Sequence, residues 1–241
     1  MPHPKNITPD EDEALILDSI DQFLERDVKP VAHDLEAADE YPSEIADKMA
    51  ELGLYGATIS PEYGGLGLSA GTYVKIVERM SAVWMSVSGL FNAHLIMAQT
   101  VERAGTEEQK QKWLPRFASG ELFGGIALTE PDCGTDLQGI RTKATLDGND
   151  YVIDGNKMWI TNGPDADTMV IYAKTDAEAG AHGITAHLRE DPRTDPSGHV
   201  PLRRLGQPED IAGTVVYAAS RASAYMTGAQ ITIDGGLTGC A

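Results

Sequence analysis

The 241-residue sequence is poor in cysteine and aromatic residues, and it contains no long uncharged apolar run. Its two cysteines, Cys133 and Cys240, are too few and too far apart to indicate a disulfide framework or a metal site. The six histidines show no metal-ligand spacing, so we expect no bound metal. No run approaches the roughly 18 apolar residues of a membrane span, and the N-terminus carries no signal-peptide pattern. These absences favour a protein of the reducing cytoplasm.

Positive charge is also scarce: 19 Lys and Arg face 37 Asp and Glu, for a formal net charge of −18. Such a chain repels phosphate backbones and anionic lipids, so we expect no nucleic-acid partner and no membrane-surface role. The charge does not exclude an anionic ligand, because backbone N–H groups can hold phosphate within an acidic protein. A hydrophobic fraction of 41% is ordinary for a globular protein with a core.

The first 120 residues carry helical patterns. Thr8 can cap a helix that begins at Pro9, and apolar residues then recur at helical spacing until Lys29-Pro30 interrupts them. Gly105-Thr106 indicates the end of one helix and the cap of the next. We expect helical segments over 8–28, 31–38, 43–52 and 69–104, the last as one or two helices, and a short helix ending at Phe117.

Short strand patterns begin after Gly120. They cover Arg141–Leu146, Asp150–Asp154, Lys157–Thr161 and Thr168–Lys174. Asp147-Gly148 and Asp154-Gly155 are typical of hairpin turns. The pattern predicts an α+β protein, in which an all-α helical domain is followed by an antiparallel β domain and a short α/β tail.

The composition changes again after Ala186. The segment 189–198 is polar and proline-rich like a linker, a helix is expected from Pro208 to about Ser220, and a strand at 230–236. We therefore divide the chain into a helical domain at 1–120, a β domain at 121–186, and a linker with a tail at 187–241.

Four motifs in the first 186 residues resemble the acyl-CoA dehydrogenase family. They occur in the family's order and spacing, and a short HGITA segment at 182–186 also suits it. The motifs are PEYGGLG at 61–67, GTEEQK at 105–110, ALTEPDCGTD at 127–136 and GNKMWITNG at 155–163.

The resemblance implies an FAD-dependent oxidoreductase of fatty acid metabolism. Such an enzyme dehydrogenates acyl-CoA thioesters at the α,β-position, passes electrons to an electron-transferring flavoprotein and forms a homo-oligomer. A reduced flavin ring is anionic, so donors at its edge stabilise it. The resemblance places Trp159 beside the ring, Thr161 near its N5 atom and Thr135 near acyl-CoA. It places three residues along the isoalloxazine edge: Ile126, Leu128 and Thr129.

Other reactive residues have plainer interpretations. Cys133 has no histidine nearby in the sequence and is expected to be an ordinary loop cysteine. His94 stands in an apolar stretch and is expected to be a hydrogen-bonded core histidine. Glu130, within the motif at 127–136, is interpreted as structural.

The tail resembles a second family, the short-chain dehydrogenase/reductases. The resemblance covers PLRRLGQPEDIA at 201–212 and SAYMTGAQITIDGG at 223–236. The Tyr-x-x-x-Lys motif of that family is absent, because Tyr217 is followed four residues later by Arg221 and Tyr225 by Ala229. An NAD(P)-dependent reductase is therefore disfavoured.

The resemblance to the acyl-CoA dehydrogenase family also implies that the β domain at 121–186 is truncated and incomplete. In that family a C-terminal helical domain supplies the glutamate base, and no residue here matches it. The dehydrogenation needs a base that removes the α-proton. We therefore name no catalytic residue and expect impaired activity. The alternative is a catalytically inactive chimeric or truncated remnant that serves as an interaction module.

Overall fold

A computed structural model of the chain describes residues 9–148 and 150–190. Within these residues a block of helices precedes a five-stranded sheet, which confirms the predicted fold class. The helices are α1 (Pro9–Phe23), α2 (Lys29–Ala38), α3 (Ser43–Glu51), α4 (Ala70–Val83), α5 (Met85–Ala104) and α6 (Glu107–Ala118). The strands are β1 (Gly124–Ala127), β2 (Lys143–Asp147), β3 (Asp150–Asp154), β4 (Thr168–Lys174) and β5 (Ile184–Glu190). The expected cap at Thr8 and the expected linker and tail elements beyond Glu190 lie outside the described residues.

The interruption predicted at Lys29-Pro30 is a change of helix type. A π-helical turn, Leu24–Val28, joins α1 to α2, and the Lys29 N–H donates to Leu24 O. Pro30 lacks an N–H and its ring crowds the carbonyl four residues earlier, so the wider turn accommodates it. The chain therefore stays helical up to Asp39, whose φ of 55° ends α2.

The long apolar stretch from Ser69 to Ala104 forms two helices. The Ser69 hydroxyl caps α4 by accepting from Thr72 N–H, and Trp84 separates α4 from α5 with an extended backbone. The next helix, α6, begins with the predicted cap at Thr106. There the Thr106 and Gln109 side chains each bond the other residue's backbone N–H, which makes a capping box.

The sheet is mixed, so its expected antiparallel character is only partly correct. The pairs β2–β3 and β4–β5 are antiparallel, whereas β1 and β2 both run parallel to β4. β5 pairs with one edge of β4 along its whole length, from Thr168 to Lys174. β1 and β2 therefore pair with the other edge of β4, one after the other along the strand. This arrangement places β1 beside the first half of β4.

Three of the four expected strands form, and the fourth does not. Asp147 pairs with Asp150, so the first predicted hairpin is confirmed. The segment Lys157–Thr161 is a loop, because Trp159 and the adjoining Asn162 have positive φ values of 58° and 66° that a strand cannot contain. The second predicted hairpin, at Asp154-Gly155, is therefore wrong. At its other end the sheet extends beyond Ala186, because β5 continues to Glu190.

Two clusters of buried side chains hold this part of the chain together. One lies among α1, α3, α4 and α5 and includes Phe23, Met49 and Phe91. The second, which we name the junction cluster, contains Ile59, Tyr63, Met97, Ala98, Val101, Trp113, Leu114, Phe117, Ala118, Leu122 and Val170. It joins α5 and α6 to β4. No helix among the described residues is long and apolar enough to cross a membrane.

Candidate flavin site

Two backbone segments meet at the junction of the helices and the sheet. The first is β1 with its continuation to Glu130, and the second is the loop from Gly155 to Gly163. The Met158 N–H donates to Thr129 O at 2.9 Å. A Cβ atom at Gly125 would lie 2.7 Å from Thr161 O, so the two backbones approach closely where glycine stands. These contacts bring together the five residues expected at the flavin: Ile126, Leu128, Thr129, Trp159 and Thr161.

Trp159 is the most exposed of these side chains. Its relative exposure is 83%, and its backbone occupies the left-handed region at φ 58°. That region is a rare and unfavourable one for a large L-residue, so neighbouring contacts must hold it. The backbone of Met158 is bonded to Thr129, and the Gly163 N–H donates to Ile160 O at 3.0 Å. The loop thus presents an indole ring to the exterior from a fixed backbone.

The other predicted site residues differ in how far they are exposed. Ile126, Leu128 and Thr129 are half-buried along the first segment, whereas Thr161 is exposed. Thr135 is exposed in the turn after Cys133, and its carbonyl accepts from Leu137 N–H at 3.2 Å. Thr135 therefore follows the first segment in the chain but lies in a turn of its own, outside the two segments.

Glu130 ties the two segments together through a buried ion pair. Glu130 is 6% exposed, and its carboxylate accepts from Lys157 Nζ at 2.9 Å, from Arg141 N–H at 2.6 Å and from Thr142 N–H at 3.0 Å. Burial raises the pKa of Glu130, but the bonds from Thr142, Arg141 and Lys157 outweigh it and lower that pKa to about 2. Lys157 Nζ also donates to Leu128 O at 3.1 Å. This agrees with a structural interpretation of Glu130.

His94 of α5 lies directly behind the site. It is fully buried; its Nδ1 accepts from Gly124 N–H at 3.2 Å, and its Nε2 pairs with Phe117 O at 3.2 Å. Burial lowers the pKa of His94 to about 4, although backbone hydrogen bonds to Phe117 and Tyr55 act in the opposite direction. The imidazole is therefore neutral at neutral pH, with its proton on Nε2. The expectation of a hydrogen-bonded core histidine is confirmed.

The side chains of Asn162 and Lys157 hold the backbone around the site, a role that the sequence analysis did not predict. Asn162 is buried, and its Nδ2 donates to Gly124 O at 2.9 Å and to Leu90 O at 3.2 Å. Both residues lie inside the GNKMWITNG motif. An asparagine next to a glycine is a signal for a left-handed backbone position, so the motif itself contained the cue. Cys133 is partly buried in the turn with Glu130 and is a free thiol.

A cleft of about 1110 Å³ adjoins this region. Its lining includes Trp113 of α6, Tyr151 and Ile153 of β3, and Leu188 of β5. None of the six residues predicted to contact flavin or acyl-CoA lines it. Gly155 and Lys157, at the start of the loop from Gly155 to Gly163 (the Trp159 loop), do line the cleft, so the cleft adjoins this loop. An experiment can distinguish binding in the cleft from binding at Trp159.

Comparison with known families and proteins shows the family of the chain. Residues 10–121 match the family "Acyl-CoA dehydrogenase, N-terminal domain", and residues 125–217 match "Acyl-CoA dehydrogenase, middle domain". The chain therefore carries the N-terminal and middle domains of the acyl-CoA dehydrogenase family.

Individual relatives give the same picture. The short-chain-specific acyl-CoA dehydrogenase of Clostridium acetobutylicum is 40% identical over 186 residues, which are 77% of this chain and 48% of that protein. A solved chain from work on the electron transferring flavoprotein of Acidaminococcus fermentans is 38% identical with a TM-score of 0.73, covering 79% of this chain and 50% of its own. A glutaryl-CoA dehydrogenase from Mycobacterium smegmatis in complex with FADH2 is 33% identical with a TM-score of 0.69, covering 77% and 47%. The chain spans about half the length of the relatives that it matches.

Proposed function

We propose that this chain provides the flavin-facing part of an FAD-dependent acyl-CoA dehydrogenase, which oxidises acyl-CoA thioesters at the α,β-position. The observation that carries the proposal is the exposed Trp159 indole, held on a fixed loop beside Thr129 and Thr161, within a matched middle domain. A solved relative contains FADH2, which supports the choice of cofactor.

The residues present fit a planar flavin ring. An exposed indole gives a flat apolar surface for stacking, and the half-buried Ile126 and Leu128 extend that surface. Thr129 and Thr161 would hold the polar edge through hydroxyl and backbone donors. When bound, FAD supplies a hydride acceptor whose reduced ring is anionic. Donors placed at that edge would stabilise the charge in the reduced state.

The second half of the chemistry requires a base for the substrate α-proton. Glu130 is next to Thr129 in the chain, but its carboxylate oxygens accept from Lys157 and from two backbone N–H groups. Its lowered pKa and its burial make it a poor proton acceptor near neutral pH. We therefore propose that the 241-residue chain by itself turns over acyl-CoA slowly, with Thr135 contributing to acyl-CoA binding.

A titration with FAD tests the cofactor assignment. The expected result is saturable but weak binding, since the residues assigned here contact only the ring end. Trp159→Ala should weaken it about tenfold, the usual worth of one lost stacking contact of roughly 1.4 kcal/mol. Tyr151→Ala is the matched aromatic control, because Tyr151 is exposed and lines the adjoining cleft. Equal effects of both variants would contradict the assignment, and a colourless protein that binds no FAD would favour the inactive interaction module.

An anaerobic dye-reduction assay with short, medium and long acyl-CoAs tests the activity. With FAD added, we expect turnover far below the ordinary range of about 1–10³ per second. Turnover within that range would contradict the proposal and would imply a base elsewhere in the chain. A scan of acidic residues from Glu190 to Asp234 would then locate it.

Partners and compartment complete the proposal. We propose an electron-transferring flavoprotein as the electron acceptor, a homo-oligomer as the assembly and the cytoplasm as the compartment. The similarity to a chain from work on an electron transferring flavoprotein supports the first of these. Size-exclusion chromatography of the chain with and without that flavoprotein checks both the assembly and the partner.

We also propose that the segments at 201–212 and 223–236 form a tail similar to short-chain dehydrogenase/reductases. The middle-domain match continues to residue 217 and thus overlaps the first of these segments. Limited proteolysis would distinguish the two assignments. Early cleavage between residues 191 and 200 supports a separate tail, whereas resistance there, with cleavage first beyond residue 217, supports a continuous middle domain.

A further inference from the structure

Hydrogen bonds at Gly124 and Leu90 connect the Trp159 loop to the helical block. The Gly124 N–H donates to Nδ1 of His94 in α5, and the Gly124 carbonyl accepts from Nδ2 of Asn162 in the loop. Asn162 also donates to Leu90 O of α5. Both backbone groups of one strand residue are thus held by side chains that come from opposite sides of the junction.

Glycine is required at position 124 by its surroundings. A Cβ atom there would lie 2.4 Å from Met97 Sδ and 2.6 Å from Thr168 O. Both distances are too short for a real side chain, and the second involves backbone that cannot easily move. The first residue of β1 is therefore enclosed by α5, β4 and the Trp159 loop at once.

We infer that His94 and Asn162 are positioning residues, which together hold the Trp159–Thr161 backbone against β1 and so fix the flavin-facing surface. The inference rests on the proposed flavin function. Neither side chain touches the proposed ring surface, because both are buried and both are occupied by backbone groups. Their effect on the cofactor must pass through Gly124 and the loop.

The hydrogen bonds are directional, which makes the inference specific. The Asn162 amide faces two carbonyl oxygens with its donor group, and its Oδ1 has no partner within the described part of the chain. His94 supplies one acceptor and one donor to groups 30 and 23 residues away in sequence. A side chain of similar size with the wrong donor pattern would leave buried backbone groups unpaired.

Three variants separate the hydrogen bonds from packing and backbone conformation. Asn162→Gly keeps the left-handed backbone readily accessible but removes both side-chain bonds. His94→Leu fills the buried position with an apolar side chain and removes both hydrogen bonds of the imidazole. His94→Gln retains one donor and one acceptor. Ile45→Val, in the other core cluster, is the control for a small loss of stability with no connection to the loop.

The test measures the motion of the loop in the absence of FAD and the affinity of the chain for FAD. The chain contains three tryptophans, so fluorine NMR of the fluorotryptophan-labelled protein gives a signal for Trp159 that Trp159→Phe assigns. We expect Asn162→Gly and His94→Leu to narrow the Trp159 line in the absence of FAD, through faster loop motion, and to raise the FAD dissociation constant about tenfold. His94→Gln should have a much smaller effect than His94→Leu on both the Trp159 line width and the FAD dissociation constant. Ile45→Val should change neither quantity.

The two proposals fail in different ways. If the unmodified chain binds FAD and Asn162→Gly leaves both the Trp159 line and the affinity unchanged, the positioning inference is overturned. If the unmodified chain binds no FAD, the proposed function is overturned, while the line width still decides whether His94 and Asn162 hold the loop.

Discussion

The helical block and the candidate site are stabilised by different kinds of contact. Among the helices, large side chains such as Phe23 and Phe91 are almost completely buried in apolar clusters. In the β2–β3 hairpin, by contrast, Leu146, Tyr151 and Val152 are 47–60% exposed. The segments that carry the candidate site are held to each other largely by polar groups that bond backbone atoms. Apolar burial therefore maintains the helical part, whereas directional hydrogen bonds shape the site.

The first way to test this contrast is to break the Glu130–Lys157 pair. Lys157→Met would leave a buried carboxylate without its cation, and we expect the free energy of unfolding to fall by about 3–5 kcal/mol. Lys143→Met, at an exposed position on β2, is the control and should have little effect. Urea unfolding at neutral pH measures both. Equal stability of the two variants would show that the pair does not hold the site.

A second test makes the same leucine truncation in the two regions. Leu114 in α6 is fully buried in the junction cluster, whereas Leu146 in β2 is 60% exposed. Leu114→Ala should cost about 2–5 kcal/mol. Leu146→Ala should change stability by no more than about 0.5 kcal/mol. Chemical denaturation of the two variants gives the difference directly, and a large loss for Leu146→Ala would mean that the hairpin depends on apolar packing as the helices do.

The third test uses pH to reach His94. Its pKa in the folded chain is lowered from 6.5 to about 4, so between these values the unfolded chain binds the proton more readily. Stability must therefore fall as pH drops from 6.5 towards 4, by about 3 kcal/mol for a pKa difference of this size. Glu130, whose pKa is lowered from 4.5 to about 2, adds a second loss below pH 4.5.

Melting temperatures across this pH range check the prediction. His94→Gln keeps one donor and one acceptor but does not titrate, so it should lose clearly less stability between pH 6.5 and 4.5 than the unmodified chain. Burial also lowers the pKa of His187, which accounts for part of the loss that remains in the variant. If the two proteins follow parallel curves over that interval, protonation of His94 does not contribute.

Local patterns in the sequence were sufficient to predict most of the helices and three of the strands. Apolar residues at helical spacing, the Thr106 cap and the Asp147-Gly148 turn are short-range signals, and each one is realised. The π-helical turn before Pro30 was not predicted, because the same proline also permits a simple break. The parallel pairing of β1 and β2 with β4 joins residues distant in sequence, which a strand pattern alone does not encode.

The loop at Trp159 shows why the candidate site was harder to predict than the fold. Apolar residues at 158 and 160 suggested a strand, but Met158 bonds Thr129 O instead of a neighbouring strand. The positive φ of Trp159 depends on contacts from β1 and α5, since tryptophan has no intrinsic preference for that conformation. The resemblance of the motifs predicted the site residues themselves. The hydrogen bonds of Asn162, Lys157 and His94 that hold the backbone around them became apparent only in the structure.

The most direct measurement of the central claim is fluorine NMR of the fluorotryptophan-labelled chain during an FAD titration. The three tryptophans report on three places: Trp159 on the proposed flavin surface, Trp113 in the adjoining cleft, and Trp84 between α4 and α5. We expect a saturable shift of the Trp159 signal, with the signals of Trp113 and Trp84 unchanged. Saturable FAD binding that shifts Trp113 and leaves Trp159 unchanged would contradict the account and place the ligand in the cleft.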